Sequence, residues 1–155
     1  LKTTIVDVIQ VSGDAMAYTL EEGDWVLVTK FDYWSGSPKQ GDVVAVNLDK
    51  GTIIRRVIAG PEQQIRDDEL ATVEITAMGE TLVNGETISE RYVSLMSYDA
   101  YEKIELARGR CFVLSDNRQV TLDSRDESVG VVKKNQLNRA RRVIWPPSNW
   151  KSLSD

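Results

Sequence analysis

A chain of 155 residues is long enough for one domain, or one core with a smaller appendage, and it can fold without a disulfide or a metal. A net charge of −5 excludes a general nucleic-acid binder, which needs surplus Lys and Arg to neutralise phosphates. With no histidine and one cysteine, a Ser-His-Asp triad, a Cys-His pair, His-ligated zinc and an intrachain disulfide are all excluded, so any hydrolase here would need a lysine or a carboxylate as base.

In chain order, the predicted elements are mostly short β-strands. Residues 5–11 are strand-like, and their position right at the start raises the expectation of an upstream segment that is not in this chain. The β-branched runs 24–30, 42–47 and 52–58 follow, two of them opened by Gly23-Asp24 and Gly41-Asp42, as turn residues should be placed. Asn84-Gly85 between apolar flanks predicts a hairpin over 81–88, because this pair supplies the two positive φ angles of a type I′ turn. A short helix is expected at 94–106, and strands at 109–114 and 141–145, the last ended by Pro146-Pro147. Cys111 sits in the apolar run Cys111-Phe112-Val113-Leu114 and reads as a core residue. The basic run Arg139-Ala140-Arg141-Arg142 reads as a solvated element end.

This pattern predicts a mainly β fold: an antiparallel core from residues 1–66 and 107–155, with the more polar and irregular segment 67–106 as a small inserted subdomain. There is no apolar run long enough to span a bilayer, and no signal-peptide pattern at the start.

Six segments then resemble, in order, the boxes of type I signal peptidases. Val11-Ser12-Gly13-Asp14-Ala15-Met16-Ala17-Tyr18-Thr19-Leu20 resembles the nucleophile box Gly-x-Ser-Met-x-Pro-Thr-Leu. Pro38-Lys39-Gln40-Gly41-Asp42-Val43-Val44 resembles Pro-x-x-Gly-Asp-Val-Val, and Ile53-Ile54-Arg55-Arg56-Val57-Ile58-Ala59 the general-base box Tyr-Ile-Lys-Arg-Val-Ile-Gly. Val83-Asn84-Gly85, the run 115–125 (Gly-Asp-Asn-Arg-x-x-Ser-x-Asp-Ser-Arg in the family) and the run 140–146 (Ala-Arg-Phe-Ile-Trp-Pro) complete the set.

In that family a serine attacks the peptide carbonyl and a neutral lysine takes its proton. By the resemblance the serine position falls on Ala15, which has no nucleophile, and the lysine position on Arg55, whose guanidinium stays protonated. No catalytic residue is therefore expected. Tyr18 stands for the family proline, Ser115 for a glycine and Thr121 for the lysine-orienting serine; Asp123 and Arg125 are retained. Ser115, Asp116, Thr121, Asp123 and Arg125 are expected to support the former site. Asp14 either pairs with Arg55 and fills that site or stays solvated. Ser12, Lys50 and Thr121 are the remaining side chains that could rescue activity, and each is better read as structural.

The resemblance implies a groove for an extended peptide, with walls at 7–15 and 52–55 and with Val11, Gly13, Met16, Tyr18, Ile53 and Ile54 as lining candidates. The reading favoured is a non-catalytic, membrane-anchored extracytoplasmic protein similar to the signal-peptidase-like pilus-assembly proteins of Gram-positive bacteria, its partner a pilin or sortase-type surface protein. Against it stand an active signal peptidase disabled by Ala15 and a structural module whose groove Tyr18 closes. No cofactor, metal or nucleic acid is expected; self-association is left open.

Overall fold

The fold is a computed structural model that describes residues 5–153. Its strands are β1 (Val6–Gln10), β2 (Trp25–Thr29), β3 (Val43–Leu48), β4 (Gly51–Ala59), β5 (Ala71–Ile75), β6 (Thr81–Val83), β7 (Glu86–Thr87), β8 (Tyr101–Leu106), β9 (Arg110–Leu114), β10 (Val132–Lys133), β11 (Leu137–Trp145) and β12 (Lys151–Ser152). One four-residue α-helix (Asp32–Ser35) and three single 3-10 turns are the helical content among the described residues. Every strand pairing is antiparallel. The main sheet runs β1-β2-β11-β3-β4-β9-β10, with β12 added beside β11; a second sheet runs β7-β6-β5-β8.

The central strands are apolar at consecutive positions because both of their faces are covered. On β3, Val43 and Ala45 face Val11, Met16, Leu20, Val26, Ile54 and Val143, while Val44 and Val46 face Val57, Val113, Val132 and Leu137. The second sheet lies wholly within residues 71–106, and its inner side chains Ala71, Val73, Ile75, Val83 and Leu106 pack directly on Ile58, Ala59, Phe112 and Leu114 of the main sheet. It is a second layer over the far end of β4 and β9, sharing one core with them.

Two turns explain the repeated Gly-Asp pair. Gly23 and Gly41 adopt φ of +92° and +96°, and Asp24 and Asp42 each donate their N–H to the carbonyl three residues back, both at 3.0 Å. Each aspartate also accepts the N–H of that same residue, Glu21 at 2.9 Å and Lys39 at 3.0 Å. Each turn thus closes with a carboxylate already in place as β2 or β3 begins. At the hairpin, Asn84 and Gly85 take φ of +54° and +81°, as the sequence predicts.

The helix expected at 94–106 does not form. Residues 101–106 are strand β8, paired with β5 through Val73–Ile104 and Ala71–Leu106, and residues 94–100 are irregular with one isolated bridge, Leu95 to Asn117. Pairing with a strand some thirty residues upstream outweighs a weak local helical preference. The run Arg139–Arg142 lies inside β11; Arg141 pairs with Asp32, and Arg139 reaches Asp32 and Asp42 at 3.8 and 3.9 Å. Cys111 is fully buried in the core.

Candidate functional site

Three segments meet at one cavity of about 230 Å³: Ile9 to Ser12 with Ala15 and Met16, Thr52 to Arg55 of β4, and Leu122. The geometry follows from the topology. β1 is the edge strand of the main sheet, and the chain leaves it at Val11, which exchanges backbone bonds with Asp24 (2.8 Å) and Gly23 (2.9 Å) before the turns of 14–20. β4 pairs with β3 along Gly51 to Arg56, but with β9 only from Arg56 onward, so its first half has no strand on that side among the described residues. The space left there is the cavity.

Ala15 and Arg55 both face this cavity, as do Val11, Met16, Ile53 and Ile54. Ala15 presents a methyl group. Arg55 is 6% exposed and its guanidinium is bound to the chain: Nε donates to the Leu122 carbonyl at 2.9 Å and Nη1 to the Ile54 carbonyl at 2.6 Å. Burial lowers its pKa, with the Asp123 carboxylate opposing and Arg125 adding to the effect.

The alternative in which Asp14 pairs with Arg55 is not what the structure contains. Asp14 is exposed, and Arg55 makes no ion pair among the described residues. The turn 14–17, closed by an Ala17 N–H to Asp14 carbonyl bond of 3.1 Å, turns residue 14 outward as residues 15 and 16 go in. Nor does Tyr18 close the groove. It is 74% exposed and lines a separate cavity with Glu21, Asp24 and residues 148–151. Gly13 lies outside the lining. Ser12 lines the cavity beside Ala15, whereas Lys50 lies in the β3–β4 turn against a larger neighbouring cavity of about 620 Å³.

Beneath the site the 115–125 loop is held by a polar network. Asp123 is fully buried; it accepts the Ser115 N–H at 2.9 Å, two bonds from the Arg125 guanidinium at 2.9 and 2.7 Å, and the Arg125 N–H at 3.0 Å. Ser115 Oγ lies 2.6 Å from the Asn117 and Val120 carbonyl oxygens. Thr121 is exposed, and its carbonyl accepts the Asp123 N–H at 2.9 Å. Three residues that sequence reasoning missed belong here. Arg56 makes a two-pronged buried pair with Asp116 (2.9 and 2.7 Å), bonds the Gly41 carbonyl at 2.9 Å and lies 4.1 Å from the Tyr92 ring centre. Asn117 donates its N–H to the Ala15 carbonyl at 2.9 Å. Glu90 pairs with Arg118, tying the loop to the segment that follows β7. The signal for Arg56 was present: neighbours on a strand point to opposite faces, so Arg55 and Arg56 had to have different partners.

The sequence model of the family described as "Signal peptidase, peptidase S26" matches residues 1–145. This chain belongs to that family. Among its relatives, signal peptidase I of Bacillus licheniformis is 28% identical over 153 residues, covering 90% of this chain and 76% of the relative. Signal peptidase I P of Bacillus subtilis subsp. natto is 26% identical over 161 residues, covering 95% of this chain and 80% of the relative. A solved signal peptidase I from Enterococcus faecalis V583 superposes with a TM-score of 0.49 at 23% identity, over 66% of this chain and 94% of that one. As a member of the S26 family the chain offers, at its cavity, a methyl group and a fixed guanidinium flanked by two strands that each have an open side among the described residues.

Proposed function

We propose that this S26-family chain holds an extended peptide in the groove between residues 9–12 and 52–55 and does not cut it. The observation that carries the reading is that Ala15 and Arg55 share one cavity. Residue 15 has no oxygen to attack a carbonyl, and residue 55 is a guanidinium that cannot take a proton at usable pH. The edge strand β1 and the first half of β4, which β3 pairs on one side only among the described residues, leave backbone groups for an added strand, the usual way an extended segment is bound.

On this reading the protein is a binding or chaperone factor in the assembly of surface pili. It acts on the extracytoplasmic face of the membrane, tethered by a segment upstream of this chain, and its partner is a pilin or sortase-type surface protein. The test is deletion in the host. Loss of polymerised pili on immunoblots, with secreted proteins still processed normally, is the expected result; accumulation of uncut preproteins, reversed by the wild-type chain, would overturn it.

A further inference from the structure

Arg55 is the residue of the site whose chemistry is incomplete. Its side chain is almost wholly buried, yet among the described residues it bonds no carboxylate: two of its five N–H donors go to backbone carbonyls, and no bond from Nη2 to the protein is present. The other buried arginines are all neutralised, Arg56 by Asp116, Arg118 by Glu90 and Arg125 by Asp123. The carboxylate that acts on Arg55 from within the protein, Asp123, is already bonded by two Arg125 donors and by the Ser115 N–H. A cation withdrawn from water without a counter-charge is unfavourable, and an anion arriving in the same cavity relieves it.

The rest of the cavity says what carries that anion. Its walls combine the apolar Ile9, Val11, Ala15, Met16, Ile53 and Ile54 with the neutral polar Gln10, Ser12 and Thr52, so Arg55 is the one charge in a lining that otherwise suits the backbone and side chains of a peptide. Thr52, Ile53 and Leu122 are shared with the larger neighbouring cavity, so the groove continues past the site and a chain can run through it without ending there. We infer that Arg55 is a carboxylate-binding residue, and that the occupant is an extended peptide that places an Asp or Glu side chain in this cavity. This rests on the peptide-holding reading above and names the class of segment it selects.

The test uses the whole chain and three hexapeptides of Ala and Val. One is capped at both ends with a central Glu, one is its Gln counterpart, and one has no acidic side chain but a free C-terminal carboxylate. Calorimetric titration should give at least roughly tenfold tighter binding for the Glu peptide than for the Gln peptide, since a charge-assisted, forked bond replaces a neutral one. Arg55→Leu should abolish that preference, so that the Glu and Gln peptides bind alike, and Arg55→Lys should retain part of it. Because Arg55→Leu changes a buried residue, the wild-type chain supplies a second reading: the Arg55 Nε–H resonance should shift saturably with the Glu peptide and with acetate. Equal binding of the Glu and Gln peptides, with no acetate response, overturns the carboxylate site and leaves the groove standing. Tighter binding of the free-carboxylate peptide overturns the side-chain occupant in favour of a chain end. No peptide binding alongside a saturable acetate shift overturns the peptide groove while the anion site survives.

Discussion

The backbone N–H of Asn117 donates to the carbonyl oxygen of Ala15 at 2.9 Å, so the loop that carries residue 15 is tied to the 115–125 loop through main-chain atoms. The side chain at 15 takes no part in that tie. Ala15→Ser should accordingly leave folding stability within about 0.5 kcal/mol of the original, read from urea denaturation, because the position is a cavity wall and not a packing keystone.

Ala15→Ser should also stay inactive on a lipid-anchored preprotein at pH values from about 5 to about 10, since residue 55 offers no base. Ala15→Ser with Arg55→Lys restores both groups, but the Leu122 and Ile54 carbonyls that now accept from Arg55 would favour a protonated amine, and Thr121 is exposed. Slow cleavage or none is expected of the double variant. Adding Asp14→Ala should change nothing, because Asp14 points to solvent. Mass spectrometry of the preprotein decides it; efficient processing by Ala15→Ser alone would mean that Arg55 does not stand where the base belongs.

Breaking the Arg56–Asp116 pair should be far more damaging. The Asp116 side chain is fully buried and that of Arg56 nearly so, and removing one partner leaves the other charged and uncompensated. Asp116→Ala should destabilise the fold by about 3–5 kcal/mol, whereas Arg56→Met combined with Asp116→Leu should lose less. Chemical denaturation of the two variants measures this, and equal losses for the single and double changes would count against it.

Alkaline pH should weaken the fold in a defined window. Burial pushes the Cys111 thiol up to about 12 from an ordinary value of 9.0. Burial likewise raises the hydroxyls of Tyr92 and, with Asp42 beside it, of Tyr33. Above about pH 9 the unfolded chain gives up these protons while the folded chain keeps them, so stability is full below that pH and falls as pH rises toward 12. The urea midpoint should drop between pH 8 and pH 10.5, with a smaller drop in Cys111→Val. Cys111 should also resist alkylation at pH 8 until the chain is unfolded.

Two glycines separate backbone strain from crowding. Gly85→Ala meets open space at φ +81° and should cost about 1–2 kcal/mol, from conformation alone. Gly79→Ala, at φ +82°, would place its Cβ 2.7 Å from the Ser97 carbonyl oxygen and 2.8 Å from the Met96 methyl. The methionine can yield but the backbone carbonyl cannot, so roughly 2–4 kcal/mol is expected. Thermal denaturation of both variants tests the difference.

The strands were legible where residues are β-branched and bounded by turn chemistry. Val43–Leu48, Gly51–Ala59 and Arg110–Leu114 fall where the apolar runs lie, and the Asn84-Gly85 turn takes the angles its residues favour. What failed was non-local. β8 forms because Ile104 and Leu106 find Val73 and Ala71 across the second sheet, and nothing between residues 94 and 106 announces a partner so far upstream. The site shows the same division. Shared boxes brought Ala15 and Arg55 to one cavity, but adjacency to Ala15 in sequence said nothing of where Asp14 points, because the turn over 14–17 leaves the one exposed and buries the other. Arg56 was hidden behind its more conspicuous neighbour.

The network under the groove has an evolutionary consequence. Asp123, Arg125, Ser115, Arg118 and Glu90 bond one another, main-chain carbonyls and the hydroxyls of Thr81 and Tyr92. None of those bonds passes through residue 15 or residue 55, and of the loop's carbonyls only that of Leu122 is bonded by Arg55. The scaffold that gives the groove its shape and the two residues that decide its chemistry can therefore vary independently. A lineage can exchange one chemistry for another at these two positions while the remaining sequence still folds to the same groove, so kinship in the scaffold outlasts kinship in activity.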